Sequence, residues 1–180
     1  MSKSHEEYME RALGLAVKAQ GRTSPNPLVG AVLVKDGQIV GEGFHQRAGC
    51  PHAEIEALTA AGESARGASV YVTLEPCAHH GRTAPCADAL ITAGIKEVYS
   101  AMEDPNPAVH GKGHARLREA GISVYTGLSQ SKATKINKPF FKYVASGQPW
   151  VTAKFAVSLD GKLATNMGES QWITGEQSRQ

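Results

Sequence analysis

A histidine, two cysteines and a glutamate fall at spacings that suit metal-assisted hydrolysis. They are His52 and Glu54 in His52-Ala-Glu54, Cys77 after Pro76, and Cys86 after Pro85. Thiolate and imidazole are donors that zinc favours in a tetrahedron. Three protein ligands leave the fourth position for water, which is the catalytic arrangement and not the closed structural one. Glu54 is too short a step from His52 to be a comfortable fourth ligand, so its expected role is general base and then general acid. Any one of the three cysteines, Cys50, Cys77 and Cys86, would by itself be read as a buried free thiol. The joint spacing carries the metal reading, and Cys50 is left as a free loop cysteine.

Spacing also constrains geometry. Two residues apart in mid-helix point about 200° away from each other. His52 and Glu54 can face one point only at a helix entrance, with Pro51 in the first turn. Cys86 is expected to start a second helix in the same way, so two helix N-termini aim partial positive charge at the site and favour thiolate. The constellation resembles the zinc deaminase signature. In such a reaction Glu54 takes a proton from water, which attacks an amidine carbon of a heterocycle. The proton passes to the neighbouring ring nitrogen, ammonia leaves and a carbonyl replaces the amino group. One departure is the eight-residue gap between Cys77 and Cys86, where two is usual. That loop brings His79, His80 and Arg82 towards the substrate, and Arg82 suits a phosphate. A plain solvated loop is the competing reading.

The elements that must position these residues alternate. An amphipathic helix is predicted over 5–20, then a loop at Thr23-Ser-Pro-Asn-Pro27. Strands at 29–34 and 39–44 flank Asp36-Gly37, a strong hairpin signal. Helices follow at about 52–61, 85–93, 112–120 and 129–146, with strands at 69–74, 97–102 and 122–126. In the last helix Ile136, Phe140 and Val144 share a stripe. The order predicts an α/β fold whose sheet is covered on both faces and is mixed because of the hairpin. A boundary falls near Gly147-Gln-Pro-Trp150, after which Val151–Val157 begins a new alternating run that 30 residues cannot complete.

The bulk properties are those of an ordinary globular chain: 180 residues, 41% hydrophobic, 20% charged, net charge +2. The weak charge gives no electrostatic reason to expect nucleic acid. No apolar run reaches the roughly 18 residues of a membrane span. The polar N-terminus is unlike a signal peptide, and the expected location is the cytoplasm.

A more specific likeness is carried by Ser24-Pro-Asn-Pro-Leu-Val-Gly-Ala31, His52-Ala-Glu54, Thr73-Leu-Glu-Pro-Cys-Ala-His-His-Gly-Arg-Thr-Ala-Pro-Cys86 and Asp104-Pro-Asn-Pro107. Together they resemble the bifunctional riboflavin-biosynthesis deaminase/reductase family, in which the long insert between the cysteines is the usual form. The resemblance implies a three-layer α/β/α sandwich, cytidine-deaminase-like, over residues 1–147. It implies deamination of 2,5-diamino-6-(5-phosphoribosylamino)pyrimidin-4(3H)-one at its 2-amino group, with Zn2+ held by His52, Cys77 and Cys86. Asn26, His45, His79, Arg82, Asp104 and Asn106 stand where that family contacts substrate. Asn26 between its prolines and Asp104 in its turn also have purely structural readings. Residues 148–180 resemble the start of a dihydrofolate-reductase-like domain that uses NADPH. Ala156 and Trp172 match positions associated with NADP, and Ser170 one associated with substrate. The native protein is expected to continue past Gln180, and no reductase activity is expected from residues 1–180 by themselves. The family also implies homo-oligomeric assembly.

Two rival readings stay open on the sequence. One is a nucleoside or tRNA-base deaminase with the same ligands. The other is a zinc-binding module without catalysis, in which Glu54 merely complements a helix dipole.

Overall fold

The computed structural model describes residues 4–79, 85–107 and 109–179. Helix α1 spans His5–Val17 and opens on a capping box, in which Ser4 Oγ accepts the Glu7 N–H and the Glu7 carboxylate accepts the Ser4 N–H. It ends three residues before the predicted stop, because the amides of Lys18, Ala19 and Gln20 turn back onto carbonyls three residues earlier. Strands β1 (Gly30–Lys35) and β2 (Gln38–Phe44) form the expected hairpin. Asp36 and Gly37 both have positive φ, 51° and 76°, as a two-residue turn of the right-handed hairpin twist requires.

Helix α2 (Ala53–Ala61), strand β3 (Ser69–Val72), helix α3 (Cys86–Thr92), strand β4 (Glu97–Ser100), helix α4 (Lys112–Glu119) and strand β5 (Ser123–Thr126) follow in alternation. The sheet order is β2-β1-β3-β4-β5. β1 lies antiparallel to both of its neighbours, whereas β3, β4 and β5 are parallel. The sheet is therefore mixed, and alternate side chains feed two cores. Leu33, Val70, Val72 and Val98 face Ala57, Leu90 and Leu117 on one side. Val32, Val34 and Tyr71 face Met9, Ala12 and Ala133 on the other. This is the α/β/α sandwich that the resemblance implied.

Helix α2 lies unusually close to β2. A Cβ added at Gly43 would come within 2.5 Å of the Ala53 carbonyl oxygen and the Ala57 nitrogen, so only glycine lets this helix approach. The entrance of α2 is thereby fixed over the edge of the sheet.

The single helix expected over 129–146 is two: α5 (Gln130–Ile136) and α6 (Lys138–Ser146). Asn137 breaks it. Its buried amide pairs with the backbone of Leu28, accepting the N–H at 2.7 Å and donating to the carbonyl at 2.9 Å. Pro139 then starts α6, none of whose side chains is fully buried. The expected stripe is thus cut at Ile136. Replacing Asn137 by alanine strands two buried backbone groups and should lower stability by about 1–3 kcal/mol in urea unfolding.

Contacts divide the chain into residues 1–150 and 151–180. In the second unit the alternating run forms no strand among the described residues, and Val151 and Phe155 are 78% and 67% exposed. Its described structure is turns and one short helix, α7 (Glu176–Arg179). Among the described residues, no helix is long and apolar enough to cross a membrane.

Candidate active site

His52 is the N-cap of α2, with extended backbone (φ −73°, ψ 162°), and Glu54 is the second helical residue. Leaving the helix at residue 52 frees the imidazole to turn towards the side on which Glu54 lies. The helix therefore starts one residue later than expected, and Pro51 precedes the cap instead of occupying the first turn. The same displacement puts Pro85 at the N-cap of α3 and Cys86 at its first position.

One donor atom from each of His52, Cys77 and Cys86 lies within 4.8 Å of the others. His52 Nδ1 is 3.2 Å from Cys86 Sγ and 3.6 Å from Cys77 Sγ. A zinc tetrahedron with Zn–S of about 2.3 Å and Zn–N of about 2.0 Å has an N···S edge of about 3.5 Å. The three donors therefore fit the metal, the two nitrogen–sulfur separations falling on either side of that edge. The Cys86 N–H also points at Cys77 Sγ, 3.4 Å away, which stabilises sulfur as thiolate. Hydrogen bonding with Cys86 pulls the Cys77 thiol well below its ordinary range. The same pairing, with burial, pushes Cys86 up. His52 is raised chiefly by its contact with Cys77. Glu54 is 3% exposed, and burial pushes its carboxyl up to about 7. A carboxyl so placed can both take and return a proton near neutrality.

These groups open onto a cavity of about 220 Å³ whose lining includes His52, Glu54, Cys77, Asn26, His45, His79, Asp104 and Asn106. The volume is below the roughly 300–1,000 Å³ of pockets that enclose whole drug-sized ligands, so it suits a single heterocyclic ring with its substituent reaching outwards. Asn26 bonds His45 Nε2 at 3.0 Å, and His45 Nδ1 bonds the Pro51 carbonyl at 3.0 Å. Asp104 is buried, which raises its carboxyl, and Oδ1 accepts the Asn106 N–H at 2.8 Å. It caps its own turn and lines the cavity as well. His79 is exposed at the rim. Arg82 lies outside the described residues.

Sequence reasoning passed over Glu75. Its buried carboxylate accepts four backbone N–H groups, those of Gly113 at 2.8 Å and His114 at 3.3 Å on Oε1, and of Gly111 at 2.9 Å and Asp104 at 3.1 Å on Oε2. One side chain thus ties the segment leading to Cys77 to the entrance of α4 and to the turn carrying Asp104. Packing there is tight, since a Cβ on Gly113 would fall 1.8 Å from the Pro76 carbonyl oxygen. The available signal was an acidic residue two positions before Cys77, one of the clustered donors.

The pattern described as the cytidine and deoxycytidylate deaminase zinc-binding region matches residues 2–102, and it covers all the clustered donors. The chain belongs to the cytidine and deoxycytidylate deaminase zinc-binding family. A second pattern, the RibD C-terminal domain, matches residues 149–180. Among relatives, the riboflavin biosynthesis protein RibD of Escherichia coli (strain K12) is 58% identical over 97% of this chain and 47% of its own length. Among solved structures, Acinetobacter baumannii RibD is 52% identical with a TM-score of 0.91, covering 97% of this chain and 49% of that one. A Thermotoga maritima diaminohydroxyphosphoribosylaminopyrimidine deaminase/5-amino-6-(5-phosphoribosylamino)uracil reductase is 47% identical with a TM-score of 0.89, covering 94% and 49%. The chain spans about half the length of these relatives.

Ala156 and Trp172, which the resemblance to the deaminase/reductase family associates with NADP, and Ser170, which it associates with substrate, belong to the second unit and are exposed. Trp172 is 72% exposed and carries the Arg179 guanidinium 4.3 Å above its ring.

Proposed function

We propose that this chain hydrolyses 2,5-diamino-6-(5-phosphoribosylamino)pyrimidin-4(3H)-one to 5-amino-6-(5-phosphoribosylamino)uracil and ammonia. The observation that carries the reading is the buried Glu54 carboxyl sharing a ring-sized cavity with His52 and Cys77, where Cys86 completes the donor set. His52, Cys77 and Cys86 hold Zn2+, which when bound supplies the Lewis acidity that makes water a competent nucleophile near neutral pH. Glu54 accepts the proton from the attacking water and delivers it to the ring nitrogen beside the amidine carbon; it then takes the remaining hydroxyl proton on that carbon and passes it to the departing amino group, which leaves as ammonia. The C–N bond to the 2-amino group breaks and a carbonyl takes its place. Asn26 contacts the ring, Asp104 and Asn106 hold ribose hydroxyls, and His79 and Arg82 lie towards the phosphate end. In a full-length protein the segment 148–180 opens an NADPH-dependent reductase domain, with Ala156 and Trp172 towards the cofactor and Ser170 towards the substrate.

The choice of substrate is supported by the high identity to RibD proteins over 97% of the chain. Ammonia release should be compared for the phosphoribosyl pyrimidinone, cytidine and dCMP. The pyrimidinone should be turned over with a kcat/KM at least about a hundredfold higher, a floor below the roughly 10⁴–10⁵-fold by which hydrogen-bonding sites reject analogues that leave them unpaired. Faster turnover of cytidine or dCMP would reassign the substrate.

A further inference from the structure

His45 follows β2 directly and is 3% exposed. Its ring bridges two groups of fixed character. Nδ1 lies 3.0 Å from the Pro51 carbonyl oxygen, which can only accept, so Nδ1 carries a hydrogen. Nε2 lies 3.0 Å from Asn26 Nδ2, which can only donate, so Nε2 is bare. The two contacts define one neutral tautomer. They also fix the Asn26 amide, whose other atom, Oδ1, has no partner among the described residues. The backbone beneath it is pinned by Pro25 and Pro27 and by the bond from the Asn26 N–H to the Thr23 carbonyl at 2.8 Å.

Turning the amide over would set Oδ1 against Nε2 and require a hydrogen there. Nδ1 cannot give up its own without losing the Pro51 carbonyl. With Nδ1–H held by the Pro51 carbonyl, the neutral ring presents only an acceptor at Nε2, which the amide meets with Nδ2 and not with Oδ1. The orientation of Asn26 is thus decided by the Pro51 carbonyl, through His45.

We infer that His45 is a positioning residue: its Nδ1–H tautomer turns the Asn26 carbonyl oxygen to the cavity, so that the site selects a ring with an N–H donor beside its amidine carbon. The pyrimidin-4(3H)-one ring meets this requirement. Its C2 lies between N3, which bears hydrogen, and N1, which does not. Glu54 needs the bare nitrogen as the place to deliver a proton, and Asn26 Oδ1 takes the N–H on the other side. In cytosine the carbon that carries the amino group has a bare nitrogen on one side and a C–H on the other, so Asn26 Oδ1 would find no ring donor. The identity of the ring rests on the deaminase reading above, whereas the tautomer does not.

Nitrogen-15 NMR of the His45 ring in the zinc-loaded chain near pH 7 tests the lock. Nδ1 should be protonated and Nε2 bare in a single tautomer; an Nε2–H tautomer or a doubly protonated ring overturns the inference. A double-mutant cycle tests the route. Asn26→Ala and His45→Phe should each lower kcat/KM for the pyrimidinone by about tenfold to a hundredfold with zinc content unchanged, as loss of a hydrogen bond in the transition state does. In the Asn26→Ala background, His45→Phe should add less than about twofold. Multiplicative losses would show that His45 acts independently of Asn26 and would overturn its positioning role. If His45→Phe fails to fold, the wild-type spectrum still decides. The Nδ1–H tautomer together with no turnover of the pyrimidinone would support the lock and sink the substrate assignment.

Discussion

Replacing Glu54 by glutamine should leave one zinc per chain in place and reduce deamination by at least about 10²–10⁴-fold, the range of a lost general acid–base catalyst. Glu54 is the second residue of α2, two positions beyond His52, and no ligand distance involves it. Its carboxyl is buried against the donor cluster, and burial pushes it up to about 7. Glutamine has nearly the same shape, so the cavity and the three donors are undisturbed, but an amide can neither take a proton from water nor return one. The loss should fall on kcat, since the interaction removed acts in the transition state. Metal analysis and single-turnover kinetics on one preparation check both halves. Activity within tenfold of wild type would place the proton transfer elsewhere.

Glu75→Gln should be the most damaging substitution away from the metal. Four backbone N–H groups converge on two carboxylate oxygens, and glutamine offers only one oxygen. Either the pair from Gly113 and His114 or the pair from Gly111 and Asp104 would face an NH₂ group. Loss of charge weakens the remaining pair, and stranded donors in a buried site add to this, so stability should drop by about 3 kcal/mol. Asp104 and Cys77 stand at the two ends of this tether. The variant should therefore also lose at least about tenfold in kcat/KM under conditions where it is folded, since small misplacements of a site are magnified in rate. Urea unfolding and kinetics on the folded fraction measure the two effects. Unchanged stability would mean that the tether is dispensable.

The legible parts of the fold were those governed by short-range rules. Asp36-Gly37 specifies its turn by φ alone, and the β-rich runs at 29–34 and 69–74 forecast strands, which fold as Gly30–Lys35 and Ser69–Val72. The entrance of α2 could be deduced because two residues separated by one cannot otherwise converge. Features set by distant partners were not legible. Asn137 sits in a helical pattern, and its helix-breaking contact is with Leu28, far away in the chain. Glu75 looks like any acidic residue until α4 folds back over it. Pro51 and Pro85 each marked a helix start, but both precede the first helical residue, because His52 and Pro85 take extended backbone. The run at 151–157 has strand periodicity and no strand beside it among the described residues.

The central claim is that His52, Cys77 and Cys86 hold the zinc on which hydrolysis depends. Chelator-treated protein should be titrated with zinc while ammonia release from the phosphoribosyl pyrimidinone is followed. Activity should rise linearly and break at one zinc per chain, and Cys86→Ala protein should show neither the binding nor the rise. Full turnover by metal-free protein, or an undiminished titration in Cys86→Ala, would contradict the account.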